Sequence, residues 1–119
     1  MKYMHRTKTL AAYDGARICL KNNMGYPAYM LLKEAARGVL SYIIEDKFDK
    51  DISEKMKLKS LMSFIDSDMV NQEDIDKFNR LIELEEAGLE AILGASVEEL
   101  TDVKRSIKHV IAEYMKEPI

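Results

Sequence analysis

Two histidines and one cysteine leave few side chains in this 119-residue chain that could do nucleophilic, acid–base or metal chemistry. A di-iron carboxylate bundle needs Glu-x-x-His pairs on facing helices. Neither His5 nor His109 has a glutamate three residues before it. A zinc site is equally unsupported by one cysteine and two distant histidines. Gly15, Gly25, Gly38, Gly88 and Gly94 stand alone, so no phosphate-cradling loop is written into the chain. No serine or cysteine nucleophile motif occurs, and no cofactor or metal is called for. What remains is Arg105 with His109. At about 100° per residue on a helix they lie about 40° apart, nearly opposite the apolar stripe centred on Ile107. They are therefore expected as neighbours on the outer face. An imidazole near its ordinary pKa can act as acid or base, and a guanidinium can hold a phosphate. Such exposed pairs are more often plain surface.

A second set is basic. Arg6, Arg17 and Lys21 recur at helical spacing with Tyr13, and should sit exposed together where they could meet phosphate or an acidic partner. The charge balance supports some asymmetry. Residues 1–38 carry seven Lys/Arg against two acids, and residues 39–119 carry eleven against nineteen, which sums to the net −3. Most charge runs are solvated faces, and a folded bundle can bring these two regions together. The acidic run of Glu83, Glu85, Glu86 and Glu90 reads the same way, as a solvated side rather than a docking face. Tyr26, Tyr29 and Met30 could form a ligand pocket, but packing or ordinary rim exposure is the commoner role.

The elements that must position these residues are helical. From Tyr26 to Asp46, Ala28, Leu31, Leu32, Ala35, Val39, Tyr42 and Ile43 mark one helical face. Ala36, Leu40 and Ile44 widen it until only Lys33, Arg37 and Ser41 remain polar, so this helix belongs at the centre of a bundle. Before it, a helix from about Tyr3 to Asn22 places Met4, Ala11, Gly15, Ile18 and Cys19 along its packing side. Asn22-Asn23-Met24-Gly25 then breaks the pattern. Asp51 and Glu54 have capping-box spacing for a short helix reaching Ile65. Asn71 caps a long helix whose stripe is Ile75, Phe78, Ile82, Leu89 and Leu93, stopped by Gly94. Ser96 with Glu99 opens the last helix, with Leu100, Val103, Ile107, Val110, Ile111 and Tyr114 inward, and Pro118 forbids much continuation. The expected fold is all-α: an up-and-down four-helix bundle with one additional short helix, a single domain over residues 1–119.

Composition agrees, with 47% hydrophobic and 33% charged residues. A chain of this length buries roughly two-thirds of its unfolded surface. No apolar run nears the roughly 20 residues that span a bilayer. The N-terminus lacks the apolar core of a signal peptide, and the lone Cys19 makes no intrachain disulfide, so a cytoplasmic location is expected. No helix is both basic and short enough to serve as a DNA-reading head.

The order of these segments resembles the HEPN domains. The resemblance rests on Ala28 through Leu40 in the second helix, with its acid, Glu34, shifted by one position. It rests further on Ala11, Ala12, Asp14 and Ala16 in the first helix, on Leu58-Lys59-Ser60-Leu61, and on the long helix, break and C-terminal helix from Ile75 to Met115. The resemblance implies a homodimer that works in one of two ways. It could be a metal-independent ribonuclease toxin, or a non-catalytic partner of a minimal nucleotidyltransferase in a toxin–antitoxin type of system. The family's nucleases use an Arg and a His set further apart than Arg105 and His109, which have three residues between them. Lys104 has the family's spacing but is not arginine. The reading favoured is therefore a dimeric, non-catalytic binding module. The first alternative is a ribonuclease in which two Arg105–His109 pairs converge across a dimer on RNA. The second is a small-ligand-binding bundle.

Overall fold

The computed structural model describes residues 2–117 and 119, with side chains of 4–117 and 119. The Pro118 stop lies outside the described residues. All regular structure among them is helical: α1 (Lys2–Lys21), α2 (Gly25–Phe48), α3 (Leu58–Met62), α4 (Gln72–Ala87), α5 (Leu89–Gly94) and α6 (Val97–Met115). The all-α bundle expected from the periodicities is the fold observed, and α2 is its centre. Twelve of its residues are buried, from Ala28 to Glu45. Even the stripe expected to stay polar is covered. Ser41 is buried and bonds the Arg37 carbonyl at 2.8 Å. Arg37 donates to the Met56 carbonyl at 3.0 Å, and Lys33 pairs with Glu85 at 3.4 Å.

Several termini follow their local chemistry. The Asn71 side chain accepts from the Asp74 N–H and the Ser96 hydroxyl from the Glu99 N–H, each at 3.0 Å, which satisfies donors that the first helical turn leaves free. Asn23 takes the left-handed backbone with φ 57°, and the Met24 N–H closes α1 onto the Cys19 carbonyl at 2.8 Å.

Three expectations are corrected. The packing side of α1 is His5, Thr9, Ala12, Tyr13, Ala16 and Leu20, about one residue further round than read, while Met4 and Ile18 are 42% and 48% exposed. The reason is that α1 packs on both α2 and α6, so a wide arc of it is covered. Tyr13 is thus buried at 5% exposure rather than lying open beside the arginines. Asp51 and Glu54 do not open a helix. Ile52 is buried and its N–H donates to Glu45 Oε2 at 2.6 Å, while Glu54 pairs with Lys8, so the segment stays irregular and α3 begins only at Leu58. Finally, Gly88 adopts φ 104° and divides the long helix in two. The turn rotates α5 so that Ile92 points inward and Leu89 and Leu93, read as core, are 57% and 61% exposed.

α1 and α2 approach closely at Gly38. A Cβ added there would collide with Thr9 Oγ1 and come within 3.1 Å of Thr9 Cβ. Inside a helix, β-branched Thr9 has few rotamers to retreat to. Gly38→Ala should therefore lower stability by about 1–3 kcal/mol despite the better helix propensity of alanine. Thr9 Oγ1 is buried without a hydrogen-bond partner, so Thr9→Ala alone should cost little, and the double variant should recover part of the Gly38→Ala loss. Urea midpoints measure all three. A Gly38→Ala variant within about 0.5 kcal/mol of wild type would show that the two backbones can part without cost.

Candidate functional site on the outer face of the last helix

Arg105 and His109 do stand together on the exposed side of α6. They line a groove of about 440 Å³ against the start of α4, with Glu73, Asp74, Lys77 and Asp102. Asp74 is the residue that organises it. Its backbone is fixed by the Asn71 cap, and its carboxylate, in the first turn of α4, sits where the helix dipole favours negative charge. That carboxylate reaches His109 Nδ1 at 2.6 Å; its own side chain is 8% exposed and the imidazole 56%. The hydrogen bond and the charge of Asp74 hold the His109 pKa above its ordinary value of 6.5, and the more distant Glu113 and Glu73 act the same way against a smaller desolvation effect. With Nδ1 engaged by Asp74, Nε2 is the ring nitrogen left for other partners. Arg105 is committed too, donating to Asp102 Oδ1 at 2.8 Å.

The groove thus sets three carboxylates, Glu73, Asp74 and Asp102, against Lys77, Arg105 and His109, whose charged form Asp74 stabilises. It is polar and near neutral, not a cationic track. Asp74 could not be picked out from the sequence, where it reads only as a first-turn acid. Its contact with His109 spans 35 residues.

The basic side of α1 does not assemble as one exposed stripe. Arg6 is half-buried and bonds the Met115 carbonyl and Glu117, tying the start of α1 to the end of α6. Arg17 is exposed and holds Asp14 at 2.8 Å. Lys21 is exposed at the C-terminal end of α1. Of the acidic run, Glu83 pairs with Arg80, Glu85 with Lys33 and Glu86 with Lys59. Tyr29 is buried and donates to the Leu81 carbonyl at 3.2 Å, burial pushing its pKa up to about 12; Tyr26 and Met30 lie on the rim. Among the described residues no group of three or more His, Cys, Asp or Glu side chains is placed to hold a metal ion, and no helix is long and apolar enough to cross a membrane.

Comparison with protein-family models, with curated proteins and with solved structures finds no significant match.

The His109–Asp74 contact makes a pH-dependent tie between α4 and α6. Because the folded pKa is raised, its stabilisation is fully present below 6.5 and is lost as pH rises through the folded value. The urea midpoint of the wild type should fall relative to that of His109→Gln between about pH 6 and about pH 8. The imidazole is more than half exposed, so solvent screening limits the loss to about 1 kcal/mol or less. A difference between the two proteins that stays constant or grows over that interval would contradict the tie.

Proposed function

We propose that this chain is a non-catalytic helical partner module of the HEPN type, working as a homodimer beside a minimal nucleotidyltransferase in a toxin–antitoxin type of system. The observation that carries the non-catalytic part is the commitment of both candidate groups to carboxylates of the same chain, Arg105 to Asp102 and His109 to Asp74. A ribonuclease needs a cation free to meet the phosphate and an imidazole free to take the 2′-hydroxyl proton. Here Asp74 holds the His109 pKa above its ordinary value, and three carboxylates line the groove that RNA would have to enter.

Support for a partner comes from the opposite property elsewhere. α5 packs on α2, and between them they expose Tyr26, Met30, Leu89 and Leu93. Large apolar side chains left exposed on two helices that pack together offer surface for association. Lys33 of α2 and Glu85 of α4 are already paired with each other, so association there would rest on apolar contact.

The ribonuclease reading keeps one observation in its favour. A buried carboxylate that fixes His109 Nδ1 orients the ring, as catalytic dyads require. The two readings part on activity. Purified protein should cleave RNA no faster than background, and light scattering at concentrations on the order of tens of micromolar should give a dimer. Robust cleavage abolished by both His109→Ala and Arg105→Ala would make this chain a ribonuclease, and a monomer in that concentration range would remove the homodimer.

A further inference from the structure

A second groove of about 440 Å³ lies between α1 and α6, along a different edge of α6 from the one that holds His109. Its α1 wall is Leu10, Tyr13, Asp14 and Arg17, four residues at the three-and-four spacing of a single helical edge. Its α6 wall is Lys104 and Lys108, one turn apart. Tyr13 is buried and Leu10 half-buried, so the floor is apolar.

The charges around this floor are unbalanced. Asp14 is held by Arg17, and Glu117, at the groove's end, is held by Arg6. Lys104 and Lys108 have no anionic partner among the described residues. Burial and the neighbouring Lys108, Arg105 and Arg17 all push the Lys104 pKa down, so its charged neighbours repel it. Two lysines without a counter-charge of their own, set over an apolar floor beside the Arg17–Asp14 pair, are stabilised by an anion that brings one.

We propose that the groove between α1 and α6 binds a small organic phosphate, its doubly charged head between Lys104 and Lys108, beside the Arg17–Asp14 pair, and its apolar body on Leu10 and Tyr13. Two unpaired lysines match the charge of a phosphate monoester, which approaches −2 near neutral pH. The apolar floor asks for an alkyl or aryl group behind that phosphate. A volume of about 440 Å³ is the size of a small-molecule pocket. A long polyanion is a poor fit, because the chain is acidic overall, with a net charge of −3, and repels it. The assignment does not depend on whether Arg105 and His109 are catalytic, since neither lines this groove.

The test is calorimetric titration of the full chain with phenyl phosphate, octyl phosphate and inorganic phosphate. At least one of the two organic phosphates should bind saturably and at least about tenfold more tightly than inorganic phosphate. The tighter of the two tells an aryl from an alkyl body. Lys104→Ala/Lys108→Ala should weaken that binding by at least about tenfold, as expected for losing charge-assisted contacts. Lys55→Ala/Lys57→Ala, an equal loss of charge from the α2–α3 connection, should leave it unchanged. On the wild-type protein, amide shifts on adding phenyl phosphate should centre on Leu10, Tyr13, Arg17 and Lys104. Affinity no better than that of inorganic phosphate overturns the proposal, as do equal losses in the two double variants or amide shifts centred away from this groove.

Discussion

The constraint on which the fold depends is that α2 must be covered over most of its circumference. Each of the other five helices packs against it. Leu32, Ala35, Ala36, Val39, Leu40 and Ile44 each lie at 0% exposure. Such a helix has no stable isolated form in water, because its apolar surface covers most of its circumference. Small residues decide how near the covering layers come. Gly38 receives Thr9, and Gly15 receives Leu31, whose Cδ1 would be 3.0 Å from an added Cβ. α1 and α2 therefore pack nearly backbone to backbone, and the remaining helices are left with the outer sides of this pair. The position of α6 beside both α1 and α4, and so of every candidate site residue it carries, follows from that arrangement.

An interior this apolar favours polar groups that are satisfied, Thr9 Oγ1 being an exception. His5 and Glu45 are buried together, 3.0 Å apart, and the same carboxylate oxygen also accepts the Ile52 N–H. One carboxylate thus joins the first turns of α1, the last turns of α2 and the loop that follows. Removing either side chain would strand the other in a place with little access to water, which costs more than the contact itself contributes. This is also why the segment after α2 is irregular. Ile52 and the Glu45 acceptor hold it in a shape that a helix starting at Asp51 could not keep.

Features decided by nearest neighbours in the chain were legible, and those decided by packing were not. The Asn71 and Ser96 caps, the Asn23 terminator and the stripe of α6 are set by side chains within a turn or two of the backbone they serve. The face of α1 depends on which two helices receive it, and Ala11, Ala12, Gly15 and Ala16 offer acceptable small surfaces in more than one direction. Gly88 gave a visible signal, a glycine inside a helical run, but its neighbours Leu81, Leu84, Leu89 and Leu93 continue a plausible stripe across it. Only the positive φ breaks that stripe. The outward placement of Arg105 and His109 was readable from helical angle alone. Asp74, which determines what His109 can do, belongs to another helix and has no local mark.

α6 divides its surface chemistry by helical angle. Lys104 and Arg105 are consecutive, yet a step of about 100° places them at different grooves. Arg105 and His109 turn toward α4, whose first turn supplies carboxylates because acids are stable at a helix N-terminus. Lys104 and Lys108 turn toward α1, whose edge offers Leu10 and Tyr13 and a single carboxylate that Arg17 already occupies. The same helix therefore borders one groove in which charge is matched within the chain and another in which it is not. A matched groove gains little from an added ion, since a guest must displace an existing partner before it gains a new one. An unmatched groove pairs a guest's charge without breaking any contact of its own. Of the two grooves that α6 borders, anion recognition should accordingly concentrate on the α1 side, where unpaired cations and apolar surface coincide.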